Sequence, residues 1–315
     1  MLVAVTGAGG FIGRALSALL TEKGHEVIEV DRSFPEGRAC GRSRFRADLS
    51  LPGSCGALSG ADAVFHLASN SDIRAGMADP MLDLRDTYLT TRNVLDAAEE
   101  FGIGKILFAS SSAVYGTNGC GASETSRLTP VSNYGRFKAV SEAEVIERSS
   151  SEGPRSVILR MSNVVGPGQT RGVVPDFIGR LLSDPGHLDI LGDGNQSKQY
   201  IHLDDALEAM CHFMGDPGPG ASVYNISPPT AISVREVADL VCGAMGLRDV
   251  RYRFSGGAAG WPGDVPRYCL DASKAKAHGW TCGRDSREAV SCAARALFGS
   301  RAAARFIGPA SMRCP

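Results

Sequence analysis

The chain has 315 residues, 43% of them hydrophobic and 21% charged, with 33 basic against 34 acidic side chains. That size accommodates one large domain or two smaller ones. A net charge of −1 opposes a nucleic-acid or membrane-surface partner, and no apolar run approaches the roughly 20 residues that span a bilayer.

In chain order, "LVAV" at 2–5 predicts a short strand that runs into "TGAGGFIG", and "RALSALLTEKG" then carries helical periodicity. "HEVIEVD" predicts a second strand, "ADAVFHLAS" at 61–69 another, and "KILFASS" at 105–111 another after the helical "TTRNVLDAAEEFG". "SVILRMSNVVG" at 156–166 continues the series. Nearly all-apolar strands alternating with helices predict a parallel sheet buried on both faces. After Gly166 the pattern loosens: one helix within "GPGQTRGVVPDFIGRLLSDPG", a helix begun by Asp204 or Asp205, then a strand, a Pro-Pro break and an amphipathic helix in "SVYNISPPTAISVREVADLVCGAMG". We read 1–166 as the main domain, with 199–230 returning to its sheet. Residues 167–198 and 231–300 form a smaller substrate lobe, and 301–315 a loosely attached tail.

Nothing resembles a secretory leader, so a cytoplasmic protein is expected. The nine cysteines include no Cys-x-x-Cys and no zinc-like spacing. They read as free thiols in a reducing compartment, and no metal site is expected. His66 and His202 lack a second ligand at useful spacing and read as structural. Cys120, in a "GCG" loop, reads as a free loop thiol.

Gly7, Gly10 and Gly13 lie between the first strand and the first helix, where glycines let the backbone approach a pyrophosphate at the helix N-terminus. Alone, the trio equally fits turn chemistry. Asp31, 18 residues after Gly13, ends the second strand, where a carboxylate accepts from both hydroxyls of an adenosine ribose and repels a 2′-phosphate. That favours NAD over NADP, although the neighbouring Arg32 suits a phosphate. Asp48 follows the third strand within reach of an adenine edge, and Ala68 and Ser69 are small enough to wall a dinucleotide. In "SNYGRFK", Tyr134 and Lys138 stand four apart at a helix start and share one face. An ammonium there favours a phenolate. An exposed helix face is the alternative.

Taken in order, "TGAGGFIG", "DLS", "FASSSAVYG", "YGRFK", "SNVVGPG", "GDGNQSKQYIHLDD" and "GWPGDV" resemble the extended short-chain dehydrogenase/reductase family. Within it the pattern is similar to NAD-dependent nucleotide-sugar epimerases of the UDP-glucose/UDP-galactose 4-epimerase type. The resemblance implies a Rossmann-like doubly wound α/β fold with a smaller C-terminal α/β substrate lobe. It also implies NAD, a UDP-sugar substrate, and a homodimer through helices at about 80–101 and 134–150. Tyr134, Lys138 and Ser111 match the catalytic base, its lysine and its hydroxyl partner. Tyr134 would take the proton of the sugar's 4-hydroxyl while hydride leaves carbon 4 for the nicotinamide. Phe11, Ile12, Leu49, Leu67 and Thr87 join the cofactor residues, with Thr87 standing where relatives commonly offer an asparagine.

Asn163, Lys198 and Asp264 match substrate contacts, and Ser112, Arg171, Val173 and Tyr200 are added to them. Lys198 stands at the place of a diphosphate-binding arginine, and the arginine expected upstream of Asp264 is absent, with Trp261 in the vicinity. Dehydratases of the family carry an Asp-Glu pair where this chain has Ser112 and Ala113, and Asp31 opposes an NADP reductase. A silent dinucleotide-sensing protein on the same fold would generally lose the tyrosine–lysine pair retained here.

Overall fold

The structure, a computed structural model, describes residues 1–35, 41, 43–149, 153–215, 218–261 and 263–306. The apolar runs form β1 (Leu2–Thr6), β2 (Glu26–Asp31), β3 (Ser43–Arg46), β4 (Ala63–His66) and β5 (Lys105–Ser111). The chain continues with β6 (Cys120–Ala122), β7 (Arg155–Met161), β8 (Asn163–Val165), β9 (His187–Ile190), β10 (Ser197–Lys198), β11 (Tyr200–His202) and β12 (Ala221–Ile226). Seven of these build one sheet in the order β12-β7-β5-β4-β1-β2-β3, and every pairing in it is parallel. β12 therefore places residues 221–226 at the edge of the main sheet.

Parallel strands need crossovers, and α1 (Phe11–Glu22), α2 (Ile73–Ala78), α3 (Pro80–Asp83), α4 (Thr90–Glu100), α5 (Asn133–Arg148), α6 (Val173–Ser183) and α7 (Leu203–Gly215) lie between or after them. Alternation along a strand assigns the two faces. Val3 and Val5 of β1 pack with Leu16 of α1 and Met210 of α7, whereas Ala4 packs with Val94 and Leu95 of α4. Both faces are thus covered, which is why the strands read as nearly continuous apolar runs. From β1 the chain leaves towards β2 on one side, and β4 lies on the other. Doubly wound sheets bind ligands at such a reversal, outside the strands' carboxyl ends.

A second core gathers α6, α8 (Val234–Ala244) and α10 (Ser286–Phe306), the last two separated by the short α9 (Ser273–Ala277). Phe177, Ile178, Val237, Val241, Val290 and Ala293 meet there. A capping box between Ser233 and Glu236 starts α8. β13 (Ile232–Ser233), β14 (Arg251–Phe254) and β15 (Cys269–Leu270) pair with β10, β9 and β6, and β11 pairs with β8. α7 begins at Leu203, one residue before Asp204 and two before Asp205, the two expected starts. α10 continues through Phe306, and 307–315 of the expected tail lie outside the described residues, as do Cys40 and Cys314. No described helix is long and apolar enough to cross a membrane.

Candidate active site

The glycine loop joins β1 to α1 with Gly7 at φ +71°. A Cβ there would lie 2.8 Å from the Ala68 amide nitrogen, so the loop can press against the end of β4 only as glycine. Asp31 closes the far side: its carboxylate accepts from the Gly9 amide at 3.0 Å and the Ser33 amide at 3.1 Å. Arg32 is committed elsewhere. Its guanidinium forks onto Asp86 at 3.0 and 2.8 Å. Asp48 accepts from Ser50, Leu49 is buried, and Leu67 and Ala68 are tied to Thr6 through their amides. Phe11 and Ile12 open α1 against the core.

Thr87 lies in a π-helical segment, Leu84–Leu89, between α3 and α4, and is fully buried. Its hydroxyl accepts from the Asn70 amide at 3.2 Å, which fixes the segment after Ser69. His66 is held between the Thr6 and Thr91 hydroxyls, and burial, with the Lys138 charge, pushes its pKa down to about 3. It is a neutral structural imidazole.

β5 delivers Ser111, whose hydroxyl caps the turn behind it by accepting from the Ala113 amide. Ser132 caps α5 by accepting from the Gly135 amide at 3.1 Å. A Cβ at Gly135 would lie 2.6 Å from the Ala113 carbonyl oxygen, so this glycine lets the start of α5 touch the exit of β5. Tyr134 is thereby set beside Ser111. Burial pushes the phenol up to about 12, the Ser111 and Ser69 hydroxyls pull it down, and the Asp83 charge raises it. Lys138 is 1% exposed and donates to the Ala109 carbonyl at 2.7 Å, with its ammonium 5.9 Å from the Tyr134 ring centroid. Burial brings it down to about 7 against the supporting charge of Glu142. In this geometry the lysine does not by itself produce a phenolate, because burial opposes the charged forms of both side chains.

Glu142 stands one further turn along α5. It accepts three hydrogen bonds from Arg160 of β7 at 2.7–3.1 Å and one from Ser110. Arg160 also donates to the Tyr115 hydroxyl, which donates to Asn225. The sequence reading missed this network. Its signals were a glutamate four residues after Lys138 and an arginine inside an apolar strand.

A cavity of about 670 Å³ opens beside this edge. It collects Asn163, Arg171, Val173, Lys198, Tyr200 and Asp264, all six expected from that part of the chain. Ser111, Ser112 and Tyr134 are not among its lining. Lys198 is ion-paired with Asp264, which also accepts from the Gly260 amide at 3.0 Å, and Arg171 is ion-paired with Asp72. Both expected cations are thus paired within the protein. Gln196, 2% exposed, also lines the cavity and has a buried Oε1 without a partner. Cys120 is exposed and stands opposite Cys269 in the β6–β15 pair.

A parallel sheet with a glycine approach, a strand-end carboxylate and small residues at the end of β4 defines a dinucleotide-binding α/β enzyme, and these residues fit NAD. The chain belongs to the NAD dependent epimerase/dehydratase family, whose profile matches residues 3–227. It is 29% identical over 304 residues to a putative UDP-glucose 4-epimerase of Methanocaldococcus jannaschii, covering 92% of this chain and 96% of that protein. It is also 29% identical over 263 residues to a dTDP-glucose 4,6-dehydratase of Streptomyces griseus, covering 77% and 78%. The solved structure of MoeE5 in complex with UDP-glucuronic acid and NAD superposes with a TM-score of 0.86 at 28% identity, over 96% of this chain and all of that one. NAD is accordingly the cofactor, and nucleotide sugars are the substrates of the family.

Proposed function

We propose that the protein is an NAD-dependent epimerase acting at carbon 4 of a UDP-hexose or UDP-hexuronate, through a transient 4-keto sugar. The observation that carries this reading is the phenol of Tyr134, faced by the Ser111 and Ser69 hydroxyls with Lys138 one turn behind. Bound NAD supplies the hydride acceptor and donor, and a positive charge near the phenol. Tyr134 takes the proton of the 4-hydroxyl and returns it to the ketone oxygen; Ser111 holds that oxygen in both states. Lys138 keeps a cation behind the phenol and, with Gly7, Gly10, Gly13 and Asp31, binds the cofactor. Asn163 and Lys198 face the diphosphate, Asp264 takes the ribose hydroxyls of the nucleotide and Tyr200 lines the same cavity, so that the keto sugar can present its other face.

Residues 1–166 with 199–230 serve the cofactor, and 167–198 with 231–300 the substrate. A homodimer would use α4 and α5, where Val140 and Ile146 of α5 are exposed apolar side chains. The free thiols fit a cytoplasmic protein.

Dehydration requires a second acid/base pair, and Ser112 and Ala113 provide none. A uronate stands among the candidate hexoses, its carboxylate a candidate partner for Arg171, which lines the cavity. Incubation with UDP-glucose, UDP-galactose, UDP-glucuronate and N-acetylated forms, read by NMR, tests the reading. Carbon-4 epimers are expected. Inertness towards all of them, or a 4-keto-6-deoxy product, would sink it.

A further inference from the structure

Anion binding in the cavity depends on which cations are left over. Among the described residues its lining carries four, Arg74, Arg171, Arg180 and Lys198, against three carboxylates, Asp72, Asp176 and Asp264. Arg171 pairs with Asp72, Arg180 with Asp176 and Lys198 with Asp264. Arg74 alone has no carboxylate partner among the described residues. It stands on the first turn of α2, with its guanidinium carbon 5.8 Å from the centroid of the Trp261 ring. Trp261 is held in a turn in which the Asp264 amide donates to its carbonyl at 3.0 Å. The contact therefore links α2 to Trp261.

The electron-rich indole face stabilises and orients a guanidinium without using its N–H groups. The donor fork stays free along its edge, in a form matched to phosphate oxygens. An ammonium already paired with a carboxylate offers less on both counts. The geometry points to Arg74, seated on Trp261, as the diphosphate-binding residue of this site. An arginine from α2 thus does the work of the arginines that the resemblance expects at Lys198 and near Trp261. This rests on the nucleotide-sugar reading above and adds the residue that meets the diphosphate.

Calorimetric titration of the NAD-loaded protein with UDP, UMP and uridine examines the phosphates separately. Arg74→Ala is expected to weaken UDP by about 10- to 100-fold, the range of a charge-assisted hydrogen-bonding pair, while leaving uridine unchanged. Arg74→Lys is expected to recover only part, because a point charge lacks the fork. UDP affinity in Arg74→Ala within about twofold of wild type would overturn the assignment. The same titrations with dTDP, dTMP and thymidine separate it from the proposed function. A wild type that binds dTDP through Arg74 and ignores UDP would remove the uridine substrate but keep Arg74. Unchanged UDP binding in Arg74→Ala by a protein that epimerises UDP-sugars would do the opposite, and binding of neither diphosphate by wild type would overturn both.

Discussion

Two ion pairs show how differently the two sides of this site are built. Glu142 and Arg160 are 2% and 5% exposed and share several hydrogen bonds with each other and with neighbouring hydroxyls. Arg171 and Asp72 are 60% and 41% exposed, and beyond their own pair Asp72 caps α2 by accepting from the Ala75 amide at 3.0 Å. Charges taken out of water must be fully satisfied, and once satisfied they cannot exchange partners cheaply. Charges in water gain little from pairing and are screened by salt. The side behind Tyr134 and Lys138 is therefore locked by polar contacts. On the cavity side the Arg171–Asp72 pair lies in water, whereas Lys198–Asp264 is 18% and 6% exposed.

The largest effect that would test this contrast is on turnover. Tyr134→Phe is expected to retain bound NAD while losing roughly 10²- to 10⁴-fold in rate, the usual contribution of a positioned acid/base. Cofactor content after purification and product progress curves give both numbers, and a near-normal rate would refute the base. Next comes Glu142→Ala, which strands Arg160 in the interior and is expected to cost about 3–5 kcal/mol in denaturant unfolding. A loss below about 1 kcal/mol would show that the two pairs are not different in kind.

Lys138→Met addresses stability against pH. Lys138 sits at about 7 in the folded chain against an ordinary 10.5, so between those values the unfolded chain binds more protons. Wild-type stability should then gain a component that rises with pH through this window and is lost as pH falls towards 7. Removing the amine should flatten the slope; an unchanged slope would deny that the lysine is desolvated. The smallest effect is expected from Arg171→Ala, under about 1 kcal/mol in thermal unfolding and vanishing at high salt. A larger, salt-insensitive loss would erase the comparison.

Legibility followed chain distance. The strand–glycine–helix passage was readable because a backbone pressed against Ala68 tolerates no side chain at Gly7. The shared face of Tyr134 and Lys138 follows from helix periodicity, and the packing of alternate β1 residues on opposite faces of the sheet from strand periodicity. By contrast, the commitment of Arg32 to Asp86 joins residues 54 apart, and nothing beside Arg32 announces it. The π-helical segment that carries Thr87 into the core has no local marker either. Lys198 and Trp261 were legible only as departures from a familiar pattern, and nothing in the sequence singled out Arg74 or the pairing of Lys198 with Asp264.

By itself, then, the amino-acid order determined the alternation of elements, the parallel sheet, the glycine approach and the acid at the end of β2, because each depends on backbone geometry within a few residues. Tertiary structure alone decided which charges meet. Arg32 turned to Asp86, Lys198 to Asp264, and Arg74 was left without a carboxylate among the described residues, because partners are chosen by the closure of distant loops and the water they exclude.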